Sequence, residues 1–184
     1  ALSKWDIPIH EPPYQAAIHG LVRAIPEQVS LFIPQDISNS LNALSKWPIA
    51  MQETPYKEAI CHLTTIIPEK IAKFHAREIA NALNALSKWP ISIHEPPYQA
   101  AIQALVRTIP EQASLFIPQG INNSLNALSK WPISVHETPY QEAIHSLMAT
   151  ILKQVNTFSM RDIAGMLNAL SKWPISTHAS PYQE

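Results

Sequence analysis

The sequence predicts an all-α fold, an αα superhelix (α-solenoid) of 42-residue repeats with two main helices per repeat and room for a short third. Three observations predict it. The string ALSKW starts at Ala1, Ala43, Ala85, Ala127 and Ala169, at a constant spacing of 42 residues, and self-similarity at such a period marks a repeat architecture. Between the copies, apolar residues recur at helical steps. Finally, the chain has only 3 Gly but 17 Pro, so proline must supply most of its punctuation. The units are 1–42, 43–84, 85–126 and 127–168, with a partial fifth at 169–184.

Each unit reads as helix A, a proline-marked interruption and helix B. Pro13, Pro55, Pro97, Pro139 and Pro181 occupy one repeat position, each followed by Tyr. Thr54, Thr138 and Ser180 precede that proline and read as N-caps with Pro at N1. Pro12 and Pro96 stand there in the other units, so those starts are expected to be less well satisfied. Tyr14, Ala17, Ile18, Leu21, Val22 and Ile25 then form one apolar stripe at steps of three and four. Pro26, Pro68 and Pro110 are expected to break or kink helix A, or to open a short third helix. Leu152 replaces that proline in the fourth unit, so helix A is expected to run unbroken there towards Phe158.

Helix B opens at Pro34 and Pro118 as N1 prolines, and at Ser159 with Asp162 three residues on, a capping-box pattern. Ile163, Leu167 and Leu170 continue at steps of four and three. ALSKW is expected to form the last turn, with Trp173 closing the helix and Pro174 stopping it. The Lys of the string then lies near the negative end of the helix dipole.

One unit cannot bury its own apolar faces, so stacked neighbours must cover them, with helix A in one row and helix B in another. The architecture is therefore expected to be armadillo/HEAT-like. Units one and three differ at only 8 of 42 positions, among them Asp36/Gly120 and Ser38/Asn122. The duplicated block is accordingly expected to be a pair of units.

Composition narrows the functional classes. The formal net charge is −1, without the basic footprint of a nucleic-acid binder. Apolar residues make up 46%, enough for a packed core. Cys61 is the only cysteine, so no intrachain disulfide forms and a reducing compartment is expected. No membrane-spanning run or secretory signal is evident. The chain starts at a repeat motif and stops inside one, at SPYQE. It is expected to be a fragment of a longer array whose uncapped ends associate end to end.

LNALSKWP recurs at Leu41–Pro48, Leu83–Pro90, Leu125–Pro132 and Leu167–Pro174. On these strings the chain resembles the SKWP repeats of type III secreted effectors from plant-pathogenic bacteria. The resemblance covers every unit, with Asp6 the one departure at the proline position. It implies delivery into the cytosol of a host plant cell and a very long parent protein, and it implies no particular chemistry. IANALNALSKW, Ile79 to Trp89, also resembles in part the helix signature of octotricopeptide-type RNA-binding repeats. Those repeats are shorter and carry their Trp elsewhere.

In a stack, each repeat position becomes a column, with successive helices roughly 8–10 Å apart. Trp5, Trp47, Trp89, Trp131 and Trp173 are expected to wedge between units, each indole N–H finding a carbonyl. The alternative is an exposed aromatic ladder. Asn42, Asn84, Asn126 and Asn168 recur although helix interiors disfavour Asn. By analogy with the armadillo Asn ladder, they are candidates for holding an extended peptide backbone. Tying one unit's loop to the next is the structural alternative. Lys46, Lys88, Lys130 and Lys172 follow four residues later, with Lys4 at the start of the column. Each Lys is expected to share a helix face with its Asn, giving a stripe that accepts an acidic or extended partner. Glu11, Glu53, Glu95 and Glu137 are expected to offset that stripe.

His10, His94, His136 and His178 form a column that Gln52 interrupts. Ligands spaced about 10 Å apart cannot converge on an ion that binds its ligands at about 2 Å, so no metal and no cofactor are expected. No nucleophile–base set, phosphate loop or carboxylate pair appears, and no enzyme is expected. The leading reading is a non-catalytic scaffold that binds a host protein or peptide along one face. The alternatives are a single-stranded RNA binder and a structural spacer. A nucleotide-reading array should vary its reading positions between units, which the near-identity of units one and three does not favour.

Overall fold

The computed structural model describes residues 12–47, 53–90, 94–131 and 138–173. Among them the fold is all-α. The helices are α1 (Pro12–Gln28), α2 (Pro34–Leu44), α3 (Thr54–Thr65), α4 (Ile67–Lys70), α5 (Ala76–Leu86), α6 (Pro96–Gln112), α7 (Pro118–Leu128), α8 (Thr138–Gln154) and α9 (Met160–Leu170). Both helix types recur at the sequence period: the first starts at residues 12, 54, 96 and 138, the second at 34, 76, 118 and 160. A 3₁₀ turn precedes each of the second type, at Val29–Leu31, Ile71–Lys73, Ala113–Leu115 and Val155–Thr157.

The packing is repeat-like. In one row α1 packs on α3, α3 on α6 and α6 on α8. In the other, α2 packs on α5, α5 on α7 and α7 on α9. Ile37 and Leu41 of α2, Ile79 and Leu83 of α5, and Ile121 and Leu125 of α7 are all buried. These residues lie four apart, so each helix presents one apolar stripe to its neighbours. Ile60 and Leu63, Leu105 and Ile109, and Leu147 fill the other row.

In two units the proline does not break the helix. α1 and α6 continue through Pro26 and Pro110 to Gln28 and Gln112. A proline so close to a helix end removes one amide, and little helix remains beyond it to destabilise. Only unit two breaks, at Ile66, between α3 and α4. There, Thr64 Oγ1 donates to the Ile60 and Cys61 carbonyls at 2.9 and 2.8 Å, and Thr65 Oγ1 donates to the same Cys61 carbonyl at 2.8 Å. Two hydroxyls on one carbonyl compete with the helix's own amides, and Pro68 has no amide to restore the next bond. Unit one carries Val22 and Arg23 at the two threonine positions, and unit three Val106 and Arg107. As expected, α8 is unbroken; it ends at Gln154 and passes through its 3₁₀ turn to Phe158.

The starts of the first helix type also differ. Thr54 is the first helical residue of α3, and Glu53 is its N-cap without a side-chain capping bond. α6 starts at Pro96 behind Glu95, likewise without one. The Thr and Pro units therefore do not differ in capping at these two helices. The Glu53 carbonyl instead accepts from the Tyr56 and Lys57 amides. Thr138 is the first residue of α8. Ser180 and Pro181 lie outside the described residues, as do Trp5, Lys4, Asp6, Glu11, Glu137, His10, His136, His178, Pro48, Pro132 and Pro174.

α9 does carry the expected box: the Asp162 amide donates to Ser159 Oγ and the Ser159 amide to Asp162 Oδ2, both at 3.2 Å. Asp36 and Glu78 reach back in the same way to the Ile33 and His75 amides. Gly120 takes that position in α7.

ALSKW straddles the helix end. α2, α5, α7 and α9 stop at its Leu, not at Trp. Its Ser is the C-cap, and the Ser hydroxyl donates back to the Asn carbonyl three residues earlier: Ser45 to Asn42 at 2.9 Å, Ser87 to Asn84 at 3.0 Å, Ser129 to Asn126 at 2.9 Å and Ser171 to Asn168 at 3.0 Å. The Lys amide then donates to the Ala carbonyl and the Trp amide to the Leu carbonyl. No described residue has positive φ. The turn therefore needs none of the left-handed geometry that usually calls for glycine, which accounts for the scarcity of Gly.

Candidate interaction surface

The turn after each second-row helix delivers one lysine to the surface. Lys46, Lys88, Lys130 and Lys172 are all exposed. Each lies past its helix C-cap, not on the helix face of its Asn as the four-residue spacing had predicted. The columns meet across units instead: Lys172 Nζ, after α9, donates to Asn126 Oδ1 of α7 at 3.2 Å. Asn42, Asn84 and Asn126 are half-buried and Asn168 is exposed.

The lysines feel one another. Partial burial lowers the Lys88 ammonium below its ordinary range, and the Lys46 and Lys130 charges on either side lower it further. Lys130 is lowered by partial burial and by Lys172. This line of like charge stands on a chain whose net charge is −1. Among the described residues no carboxylate comes within ion-pair distance of the four. Glu53 does not offset them, because its carboxylate faces His19 Nε2 at 3.5 Å. Glu95 is the N-cap of α6.

Trp89 and Trp131 are buried, and Trp47 and Trp173 are half-buried and packed against the core. These four do not form an exposed ladder. Trp47 meets Tyr56 edge-on at 6.4 Å, and Tyr56 in turn meets His19 at 5.5 Å. Trp89 Nε1 does not find the expected carbonyl: it is buried and has no acceptor among the described residues.

Sequence reasoning missed one set of ties between units. The repeat position held by Lys70 and Gln112 sends a side chain back to the preceding unit's loop. Lys70 Nζ donates to the Ser30 carbonyl at 2.7 Å, and Gln112 Nε2 to the Phe74 carbonyl at 2.6 Å. The long polar residue recurring at that position, Gln28, Lys70, Gln112 and Gln154, was the available signal.

No group of three or more His, Cys, Asp or Glu able to hold a metal is present among the described residues, and none of their helices is long and apolar enough to cross a membrane. Compared with protein families, curated proteins and solved structures, the chain gives no match.

Proposed function

We propose that this chain is a non-catalytic scaffold, an armadillo/HEAT-like α-solenoid of 42-residue repeats, that binds an acidic, extended segment of a protein along its lysine turns. In this reading it belongs to an SKWP-type bacterial effector, works in the cytosol of a host plant cell and binds a host protein there.

The observation that carries the binding reading is the aligned lysine column. Four exposed ammonium groups face solvent without a carboxylate partner among the described residues, and the two central ones are held below their ordinary range first by partial burial and then by their neighbours' charge. An anionic partner relieves that repulsion. Adjacent turns roughly 8–10 Å apart suit an extended chain, which advances about 3.3 Å per residue, so every third residue meets one lysine. The half-buried Asn column lies within reach of the same groove, as the Lys172–Asn126 bond illustrates.

Fluorescence anisotropy with a labelled peptide carrying Glu at every third position tests the reading. Binding should weaken with added salt and be lost in Lys88→Gln/Lys130→Gln, while Asn84→Ala/Asn126→Ala weakens it without lowering Tm. Failure to bind at low salt, or binding that ignores the lysine substitutions, overturns the proposal. Tighter, lysine-dependent binding of single-stranded RNA replaces it with the nucleic-acid reading.

A further inference from the structure

Two exposed apolar pairs stand on one edge of the fold. After its 3₁₀ turn each unit continues in extended conformation at a Phe: Phe32, Phe74 and Phe116 have ψ of 132°, 134° and 124°. The Phe packs inwards, with Phe74 and Phe116 buried and Phe32 half-buried against the core. Side chains alternate along extended backbone, so the residues on either side of the Phe are turned out. In units one and three these are Leu31 and Ile33, 78% and 56% exposed, and Leu115 and Ile117, 65% and 60% exposed. Unit three has described helices both before and after it, so its exposure does not come from where the chain starts. In unit two the same two positions hold Lys73 and His75, both exposed, with Arg77 exposed two residues on. Thr157 and Ser159 take them in unit four.

This edge is not the edge of the lysine turns. Ile33 is the N-cap of α2 and Lys46 lies past its C-cap, so the 11 residues of α2 separate them, about 16 Å of helix. Two of the loops are tied down within the fold. Lys70 Nζ holds the Ser30 carbonyl next to Leu31, and Gln112 Nε2 holds the Phe74 carbonyl between Lys73 and His75. A platform already ordered loses little freedom on binding.

We infer that this edge takes an amphipathic helix of another protein, its two apolar anchors seated on the Leu31–Ile33 and Leu115–Ile117 pairs and its acidic residues between them facing Lys73 and Arg77. Spacing supports the match. α2 packs on α5 and α5 on α7, so the two apolar pairs lie two helix steps apart, roughly 16–20 Å. Three turns of helix, about 11 residues, span about 16 Å, which returns a side chain to the same face with two positions between. Charge supports it too. Among the described residues neither Lys73 nor Arg77 makes an ion pair. Glu78 is engaged by the His75 amide, and Glu69 on α4 pairs with neither cation. The edge offers a partner side chains and no sheet edge: the Phe32 and Phe116 amides are already bonded to the Val29 and Ala113 carbonyls. A helix arrives with its own backbone bonded and needs only side-chain contacts. A uniformly anionic bilayer matches this order poorly, because Glu27 and Glu111 stand exposed four residues before the two apolar pairs.

Fluorescence anisotropy with the whole chain tests this, using a labelled Ala-rich peptide that carries Leu at three-turn spacing and Glu one and two turns after the first Leu. Wild type should bind it. Leu31→Ser/Leu115→Ser should weaken binding roughly tenfold or more. Both leucines are largely exposed, so circular dichroism should show unchanged helicity and Tm. Lys73→Glu/Arg77→Glu should weaken binding as well, and a peptide with Lys in place of Glu should restore it. Absence of binding up to millimolar peptide overturns the inference. So does binding that ignores either pair of substitutions, or a charge reversal that restores nothing. Leu115-dependent cosedimentation with phosphatidylserine vesicles, by a chain that ignores the peptide, overturns it in favour of a lipid surface.

Discussion

α5 and α9 occupy the same place in successive units, and both end in Leu-Asn-Ala-Leu followed by the same turn. They are held in place differently. α5 lies between α2 and α7, with Ile79 and Leu83 fully buried. Among the described second-row helices α9 packs on α7, and Ile163 and Leu167, at the equivalent positions, are exposed. α9 has the complete reciprocal cap of Ser159 and Asp162, whereas α5 has only the Glu78 carboxylate reaching the His75 amide. α5 takes its stability from the helices on either side, and α9 takes more from its own terminus. The same side chain therefore has a different worth in each unit, and sequence identity between repeats does not convey it.

Leu83→Ala should give the largest contrast. Removing a fully buried leucine between two helices should cost about 2–5 kcal/mol, read as a fall in urea midpoint. A loss below about 1 kcal/mol, the range of a surface site, would break the comparison. The buried interior tyrosine offers a second contrast, by pH. Burial pushes the Tyr98 phenol up to about 12, with Cys61 and Glu95 adding to the shift. The folded chain keeps a proton that the unfolded chain releases near 10. Tyr98 therefore contributes its full stability below about pH 10 and loses it as pH rises towards 12. Lys88 and Lys130 work in the opposite sense, since their disfavoured charges cost less as pH approaches 10.5. Alkaline melts of Tyr98→Phe should lose less stability across this window than the parent; an identical decline would remove Tyr98 as its source.

Ser159→Ala should cost about 1 kcal/mol by deleting the α9 cap. Amide exchange should localise the effect to Arg161, Asp162 and Ile163. Leu167→Ala should stay within about 0.5 kcal/mol in dilute solution, the counterpart of the large Leu83 loss. Smallest of all, Thr65→Ala removes one of the hydroxyls on the Cys61 carbonyl. It should slow exchange around Ile66 by joining α3 to α4, with a change in global stability under about 0.5 kcal/mol.

Much of this was legible because it is local. The spacing of Ile163 and Leu167 revealed the apolar face, the Ser159–Asp162 pair revealed a cap, and the ALSKW period placed each second-row helix end within the string, although at Leu and not at Trp. The misreadings arose where two local rules compete or where a distant partner decides. Pro26 and Pro68 look alike in sequence, but only Pro68 follows two threonines that draw on one carbonyl. Thr54 resembles a cap, yet the chain turns one residue earlier, at Glu53. The Lys172–Asn126 bond spans 46 residues and has no local signature. Nor does the unmatched indole of Trp89, whose surroundings are set by packing between units.

The Ser–Lys–Trp turn closes its backbone and hydroxyl bonds within the seven residues that run from Leu41 to Trp47, or their equivalents. Those bonds ask nothing of the units on either side. A gene that gains or loses a whole 42-residue block therefore preserves every turn and changes only the number of steps, so length can evolve by recombination without redesign of the parts.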